Sequence, residues 1–592
     1  MNIKPTSLTI SQLFGSNNEQ YVVPPYQRRY SWNQRQVWEL IDDIELLEDN
    51  DTHLLGSIVC LAGHHNAGLN KLELVDGQQR LTTVAILLEC ICQRLSADGS
   101  DSDAADLARL LNAKPLDGKT VRKVTLDSID SKEHERLVNK DLSSDFQNKM
   151  LLSAFTTVRD WIDEQSVQDL GRFLYRLQNQ AVVIRLDVSD AKDAFKLFET
   201  INNRGLRLTP TDIIKNFLLG NAARFSEESL RAARASWTKL TINLDGTNSD
   251  SFFRYYLMSQ LGLKLSSASI VENFKEIFMK RVNEAAALPD RHFYVESDDS
   301  EDDDLEEETP KVNLRKGTQI ENGVSFKDFL TRLVQHSKVF GELVLAKTSN
   351  EAINRNLRNL RMINAAQTYG FLMHLKVGEC NDKNFREILR LTESFLLRRH
   401  VCRERANETE SLFARLCGTN ALSPIGDTKK AYRDLSPSDQ KFREEFASTK
   451  YIPKNIDRAR YCLEQIEIWM HGAHDELRVL GARDVHVEHI IPQKIQTKKS
   501  VDVHGDWVLY LGSDAKVKHP KYVSRIGNLT LFAGALNISA SNNPFVKKKT
   551  AYKNSAIKLT QDLAAMPSFK FRNVDQRSKA LAEIAVKLWP TP

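Results

Sequence analysis

The hydrophobic positions of this chain follow two periods, one typical of strands and one typical of helices. Short aliphatic runs predict strands at residues 21–24, 53–61, 71–75 and 180–187. Apolar positions at 3.6-residue spacing predict helices at residues 38–47, from Leu81 onward, and at 193–202, 250–261, 326–334, 360–375 and 385–399. Thr209, followed by Pro210 and Asp212, predicts a further capped helix start. The chain is therefore expected to be α+β and predominantly α-helical.

An acid–histidine pair ends one strand-like run near the C-terminus. Residues 485–492 read VHVEHIIP, so Glu488 and His489 follow β-branched positions and Pro492 closes the run. Phosphodiester hydrolysis needs a base that activates water and a cation that stabilises the leaving oxygen. A neutral imidazole suits the first role, and a carboxylate can hold Mg²⁺ or Mn²⁺ for the second. Taken alone, such a pair is more often a surface or structural feature.

Two asparagines follow this pair at positions from which they could face it. Residues 525–531 (RIGNLTL) resume an apolar run around Asn528, as a second strand would. Asn537 begins a segment that reads as a short polar helix and carries three consecutive lysines at 547–549. An amide oxygen from that helix could share a cation with the carboxylate. The alternatives are a turn leading into a strand, an asparagine-rich loop and a solvated basic face.

A second polar constellation lies between a predicted strand and a predicted helix in the N-terminal region. Residues 75–83 read VDGQQRLTT, and a glycine turn before a helix offers free backbone N–H groups and a positive dipole end. Arg80 adds a planar cation suited to phosphate, and Asp76 could hold a metal or activate water. Gln78 and Gln79 could bond a base or a sugar.

The competing interpretation of this turn is structural and carries equal weight. Asp76 would then cap the helix, and Arg80 would pair with a carboxylate. Residues 24–32 (PPYQRRYSW) place Tyr26 and Arg28 in a polar and aromatic segment able to cover a ligand. The sequence G-x-x-x-x-G-K-[ST] does not occur in the chain, which excludes a P-loop nucleotide site.

The charge distribution is uneven, although the 592-residue chain carries a net charge of only +4. Segment 296–308 holds ten acidic residues and no basic ones, and it is expected to be a disordered surface insertion. A DNA-mimicking or autoinhibitory role for this segment is the less favoured alternative. Residues 494–592 contain 17 Lys and Arg residues against 6 Asp and Glu residues, a net charge of +11. A basic C-terminal region suits a polyanionic substrate such as nucleic acid.

Composition is typical of an ordinary soluble protein of the cytoplasm. Hydrophobic residues make up 41% and charged residues 27% of the chain, and no apolar run is long enough to span a bilayer. The first 15 residues lack the features of a signal peptide. Seven scattered cysteines without a CxxC pair indicate a reducing compartment, with no disulfide framework and no structural zinc.

The ordered set of C-terminal motifs resembles the HNH nuclease domain, a ββα-metal fold, of the GmrSD family of type IV restriction enzymes. The resemblance implies that His489 is the general base and that Asn528 orients the base and its loop. It also implies that Glu488 and Asn537 are ligands of Mg²⁺ or Mn²⁺. Cysteine pairs do not flank these motifs, so the zinc staple of some HNH enzymes is not expected. No role is implied for His486.

The N-terminal motifs resemble the other domain of the same family, a resemblance that extends to its relatives SspE and BrxU. That domain is ParB/sulfiredoxin-like, and it binds and hydrolyses a nucleoside triphosphate; ATP, GTP, UTP and CTP are not distinguished. Asn203, Gly205 and Asp212 match a third motif, for which closing two helices together is at least as well supported as ligand contact. The implied cofactor-binding residues are Gln27, Arg28, Asp76, Gly77, Gln78, Gln79 and Arg80.

The resemblance implies a three-part, NTP-regulated, metal-dependent DNA endonuclease. Residues 1–225 would bind the nucleotide, residues 226–440 would form a helical middle with the acidic insertion at 296–310, and residues 441–592 would form a helical lead-in and the HNH domain. The implied partner is double-stranded phage DNA with hydroxymethylated, glucosylated or methylated cytosine. No membrane partner is expected, and a homodimer is compatible with the sequence. The alternatives are a phosphorothioate-sensing, SspE-like nicking nuclease with NTPase activity, and a non-cutting, NTP-dependent nucleic-acid-binding regulator.

Overall fold

The computed structural model divides the chain into two compact units. The first comprises Met1–Arg254 and Ser266–Lys338, and the second comprises Tyr255–Leu265 and Val339–Pro592. The finer division at residues 225 and 440 stays a prediction. The described residues are 3–48, 51–66, 68–116, 118–126, 129–142, 145–202, 209–287, 323–472, 485–495, 507–533 and 543–592.

The strands of the first unit form one large mixed sheet and a small two-stranded ladder. They are β1 (Ile3–Thr9), β2 (Glu19–Val23), β3 (His53–Asn66), β4 (Leu69–Asp76), β5 (Asn112–Ala113), β6 (Val121–Arg122), β7 (Val124–Leu126) and β8 (Ala181–Val188). The large sheet has the order β1-β8-β3-β4-β2-β7, and β5 pairs with β6. Strand β4 runs antiparallel to β3 and parallel to β2. Because β4 lies inside the sheet, the turn that follows it is held by a strand on each side.

Several helices of the first unit begin at a side-chain cap. The helices are α1 (Ile10–Gly15), α2 (Gln34–Glu45), α3 (Gln78–Ala97), α4 (Asp101–Leu111), α5 (Ser131–Val138), α6 (Lys149–Glu164), α7 (Val167–Asn179), α8 (Ala191–Asn202), α9 (Pro210–Phe225), α10 (Glu227–Asn243), α11 (Ser249–Leu261), which continues into the second unit from Tyr255, α12 (Ile270–Arg281) and α13 (Asn283–Ala286). The predicted start of α9 is confirmed, since the Thr209 side chain accepts from the Asp212 backbone N–H at 3.2 Å.

Helix α3 is the buried centre of the first unit's core. It packs among apolar side chains of the sheet and of the surrounding helices, including Tyr21, Leu74 and Phe155. Each large apolar side chain buried in this way contributes about 1.5–3 kcal/mol. The turn between β4 and α3 therefore joins two of the most buried elements of the unit, and its backbone is held rigidly at both ends.

The second unit is mostly helical before residue 472. Its helices there are α14 (Phe326–Leu345), which also contributes residues to the first unit, α15 (Glu351–Met362), α16 (Tyr369–Val377), α17 (Asp382–Val401), α18 (Ala406–Leu416), α19 (Ile425–Leu435), α20 (Asp439–Ser448) and α21 (Ile456–His471). The prediction of one helix over 360–375 is wrong. Asn364 has a left-handed backbone (φ 62°), which ends α15, and a 3₁₀ turn at Ala366–Thr368 precedes α16.

Two strands and five helices follow in the described part of the C-terminal region. They are β9 (Val485–His489), α22 (Trp507–Leu511), α23 (Ala515–Tyr522), β10 (Leu529–Ala533), α24 (Phe545–Lys553), α25 (Lys558–Gln561) and α26 (Phe571–Leu588). Strands β9 and β10 pair antiparallel. A core that includes Ile490, Trp507, Phe532, Tyr552 and Val574 lies beneath them. The sheet and helix α24 thus pack against the same apolar core.

The fold class is confirmed as α+β with a predominance of helix. None of the helices in the described ranges combines the length and the apolarity needed to cross a bilayer. The acidic segment 296–308 lies outside the described residues, so the prediction of a disordered insertion stays a prediction.

Candidate functional site

The predicted acid–histidine pair ends strand β9. In the antiparallel register His489 lies opposite Leu529, and Glu488 lies opposite Thr530. Asn528 immediately precedes β10 as the last residue of a 3₁₀ turn, and the second strand predicted around it begins at Leu529. Glu488, His489 and Asn528, which are far apart in sequence, therefore meet at one end of a two-stranded sheet.

Asn528 fastens the loop that follows His489. Its side-chain Oδ1 accepts from the Ile491 backbone N–H at 2.9 Å, and its Nδ2 donates to the Ile491 carbonyl at 2.9 Å and to the Val523 carbonyl at 2.8 Å. Its backbone carbonyl also accepts from the Ile490 N–H at 2.9 Å. Asn528 is completely buried, so these bonds are shielded from water. They fix the chain directly after the histidine.

Gly527 lets this turn approach the C-terminal helix α26 closely. A Cβ atom at Gly527 would lie 2.2 Å from the Val574 carbonyl oxygen and 2.4 Å from Ser578 Oγ, so no larger residue fits. The Gly527 N–H donates to Ser578 Oγ at 3.1 Å, and Arg577 Nη1 donates to the Gly527 carbonyl at 3.0 Å. Helix α26 thus fixes the turn at residues 526–528, and Asn528 of that turn fixes the loop that follows His489.

His489 is a neutral imidazole at pH 7. Burial, reinforced by the charge of Lys548 and by His519, lowers its pKa to about 4. Its Nε2 lies 3.3 Å from Gln493 Nε2, which can donate to it. His519, which received no role from sequence, is buried and bonds the Pro492 carbonyl through Nε2 at 2.7 Å, so it supports the same loop. A neutral, partly exposed imidazole can accept a proton from water.

Glu488 is paired with a lysine that the sequence did not single out. Lys548 Nζ donates to Glu488 Oε1 at 2.5 Å and to the His489 backbone carbonyl at 2.9 Å. Lys548 is completely buried, whereas its neighbour Lys547 is exposed. Burial raises the pKa of the Glu488 carboxyl, and the lysine opposes that shift. The spacing of Phe545, Lys548 and Tyr552 along α24 would have placed Lys548 on the buried face.

The residues around Glu488 can supply a ligand for a divalent cation. Lys548 bonds Oε1, and the carboxylate also accepts a hydrogen bond from the His489 backbone. A carboxylate oxygen is the type of ligand that Mg²⁺ or Mn²⁺ accepts. Asn537, the other predicted ligand, lies outside the described residues. Among the residues described, no cluster of three or more His, Cys, Asp and Glu side chains could hold a metal.

In the first unit, the predicted nucleotide residues gather around the turn between β4 and α3. Gly77 is the N-cap of α3 and has a left-handed backbone (φ 87°). A Cβ atom there would lie 2.5 Å from Ile58 Cγ2, so both the backbone and the space require glycine. Because Gly77 occupies the cap position, Asp76 is not the N-cap residue that the structural alternative proposed.

The glutamines of this region bind backbone groups. Gln79 Nε2 donates to the Arg29 carbonyl at 3.2 Å, and its Oε1 accepts from the Ser31 N–H at 2.8 Å. Gln27 Nε2 donates to the Val75 carbonyl at 2.8 Å. These bonds join the segment at residues 24–32 to the turn. Gln78 Nε2 donates to the Arg28 carbonyl at 3.3 Å, and its buried Oε1 has no partner among the described residues.

Three cations and a carboxylate complete the constellation. Lys215, on α9, is buried and donates to Gln27 Oε1 at 2.5 Å, and it lies 3.7 Å from Asp212 Oδ1. Arg28 is half exposed and lies 4.0 Å from Asp212 Oδ2. Burial lowers the pKa of Lys215, and the carboxylates of Asp212 and Asp76 oppose that shift. Arg80 donates to the Ser57 carbonyl at 3.0 Å. No role was assigned to Lys215 from the sequence alone.

A small, shallow cleft lies beside this turn. Its lining includes Arg28, Tyr30, Gln78, Gln79, Thr82 and Asp130. The partnerless Gln78 Oε1 can accept from a ligand, and Arg28 can attract an anion. Asn203 and Gly205 of the third motif lie outside the described residues.

Comparison with known families agrees with both halves of this picture. Residues 10–219 match the family described as GmrSD restriction endonuclease, N-terminal domain, and residues 436–584 match GmrSD restriction endonucleases, C-terminal domain. A comparison with curated proteins found no match. The two family matches cover more than half of the chain and include every site residue predicted above. The chain therefore belongs to the family of GmrSD-like restriction endonucleases.

Proposed function

We propose that this chain is an NTP-regulated, metal-dependent HNH endonuclease of the type IV restriction kind, which cuts modified phage DNA in the cytoplasm. The proposal rests on one observation above all. Glu488 and His489 share a strand end, and the buried Asn528 fixes the loop behind them. In this proposal, strands β9 and β10 and helix α24 are the two strands and the helix of a ββα-metal site.

His489 is the general base in this proposal. Its pKa of about 4 keeps the ring neutral at pH 7, ready to take a proton from the attacking water. The negative charge of a bound phosphodiester raises the pKa of a nearby imidazole, which strengthens the base when substrate is present. A divalent cation bound through Glu488, with Asn537 as the second proposed ligand, would supply positive charge at the leaving oxygen.

The positive charge of the C-terminal region favours DNA as the substrate. Residues 494–592 carry a net charge of +11, and this stretch contains Asn528, Lys548 and the helix α24. A basic surface around a hydrolytic site attracts phosphate backbones without selecting sequence. Recognition of the modified base is assigned to the rest of the chain, by analogy with the family.

Cleavage of differently modified plasmids tests the proposal. The full-length protein would be incubated with plasmids carrying unmodified, methylated, hydroxymethylated, glucosylated or phosphorothioate DNA, with Mg²⁺ or Mn²⁺ and with or without each NTP. We expect cutting of at least one modified plasmid, no cutting in EDTA, and a rate that changes with NTP. Binding without nicking under every condition would contradict the proposal and favour a non-cutting regulator.

The turn at Gly77 is proposed to bind the nucleoside triphosphate, within a ParB/sulfiredoxin-like fold. The first-turn N–H groups of α3, the exposed Arg28 and the buried Lys215 provide positive charge for phosphates. Gln78 Oε1 offers an unused acceptor to a base or a sugar. The glutamines bind the backbone of the segment at residues 24–32. Binding of a nucleotide would therefore change the conformation of this segment.

Replacing Lys215 with methionine tests this assignment. Hydrogen bonds to charged groups contribute about 1.5–3 kcal/mol, so we expect Lys215→Met to weaken NTP binding roughly 10- to 100-fold, measured by calorimetry. The matched control is Lys123→Met. Lys123 is an equally buried lysine of the same unit that donates to the Phe14 carbonyl. The control is expected to lower stability and to keep NTP affinity; equal losses in both variants would contradict the assignment.

A further inference from the structure

Lys548 is a buried lysine on an apolar face, where its positive charge contributes nothing to the packing of the core. It lies on the same face of α24 as Phe545 and Tyr552, which belong to the core beneath the sheet. A methionine would fill such a position without a charge. Burying an ammonium group is strongly unfavourable unless it is paired and hydrogen-bonded. We therefore expect the charge of Lys548 to act on the groups that its ammonium nitrogen contacts.

Those groups are the proposed metal ligand and the residue that carries the base. One ammonium nitrogen bridges Glu488 Oε1, at 2.5 Å, and the His489 backbone carbonyl, at 2.9 Å. The bridge ties the Glu488 side chain to the backbone of the next residue, so the carboxylate cannot rotate freely. The carboxylate also accepts a hydrogen bond from the His489 backbone, so a second contact fixes its orientation. Glu488 is itself mostly buried, with 12% of its side chain exposed.

We propose that Lys548 is a positioning residue that holds the Glu488 carboxylate in the orientation in which it binds a divalent cation. The inference rests on the proposed metal-dependent function and adds a residue to it. Ligands to metals are commonly oriented by hydrogen bonds from a surrounding shell, and loss of such a partner costs roughly 10- to 100-fold in metal affinity. The rival possibility is that Lys548 competes with the cation for Glu488. The two roles predict opposite signs, since a competitor's removal strengthens metal binding.

Direct Mn²⁺ binding separates these roles. The full-length protein, without nucleotide or DNA, would be titrated with Mn²⁺ while electron paramagnetic resonance reports the free ion. We expect Lys548→Met to bind Mn²⁺ roughly 10- to 100-fold more weakly than the wild type. Lys547→Met, the exposed neighbour, is the matched control and should leave Mn²⁺ affinity unchanged. Equal or tighter binding by Lys548→Met would overturn the inference.

Two further variants in the same Mn²⁺ titration distinguish the remaining explanations. Glu488→Gln removes the carboxylate charge and should abolish the same Mn²⁺ site. If the wild type binds no Mn²⁺, or Glu488→Gln binds it normally, the metal assignment of the proposed function fails and the inference fails with it. If Lys548→Met does not fold by circular dichroism, Lys548→Arg replaces it. The guanidinium retains the charge but is longer and planar, so it cannot take the position of the Lys548 nitrogen; weaker Mn²⁺ binding is still expected, and unchanged binding would overturn the inference.

Discussion

His489→Ala is expected to lower the rate of DNA cleavage by about 10²–10⁴-fold, which is the usual contribution of a general base. The imidazole is partly exposed, and its neutral form can accept the proton of an attacking water. The ring makes one described hydrogen bond, with Gln493, so its removal should change the folded structure little. The measurement is single-turnover cleavage of a modified plasmid at saturating protein and Mg²⁺.

The matched control for this variant is His486→Ala. His486 lies on the same strand, three residues earlier, and its side chain is exposed. We expect the control to cut at the wild-type rate, and we expect both variants to keep NTP hydrolysis, because the nucleotide residues lie in the other unit. If His489→Ala still cuts in a preparation free of other nucleases, the base is not His489. If His486→Ala loses as much activity, the loss results from disturbing strand β9 and not from removing the base.

The main elements could be predicted because their signals are local. The strand at 485–489 ends at a histidine and is soon closed by proline, and the helix after Thr209 begins with its own cap. Helix α15 was predicted to continue past Met362 because apolar spacing continues there. What ends it is the left-handed backbone of Asn364, and periodicity does not report backbone handedness.

The partners of the site residues could not be predicted, because they come from distant parts of the chain. Lys548 lies 60 residues beyond Glu488, inside a lysine triplet whose members look alike in sequence. Lys215 reaches Gln27 across 188 residues. Gln79 was assigned to a base or a sugar from its chemistry, yet both ends of its amide bind backbone groups of residues 29 and 31. Residue type indicates what a side chain can bond, and only the packing decides which partner it meets.

Asn528→Ala is expected to lower both stability and cleavage. It would leave the Ile491 N–H, the Ile491 carbonyl and the Val523 carbonyl without their partner in a fully buried place. Buried groups left unsatisfied cost about 1–3 kcal/mol each, so we expect a loss of about 3 kcal/mol in the free energy of unfolding. Freed from its clamp, the loop should move His489 enough to slow cleavage roughly 100-fold, measured at a temperature where the variant is folded.

Asn354→Ala separates the two effects, because Asn354 is a second buried asparagine with the same kind of clamp in the same unit. Its Oδ1 accepts from the Thr348 N–H at 2.8 Å, and its Nδ2 donates to the Thr348 carbonyl at 2.9 Å. It should therefore lose similar stability in urea unfolding while the sheet that carries His489 is unchanged. If Asn528→Ala cuts no more slowly than Asn354→Ala, Asn528 serves the fold alone. A loss confined to Asn528→Ala means that the position of the base depends on its loop.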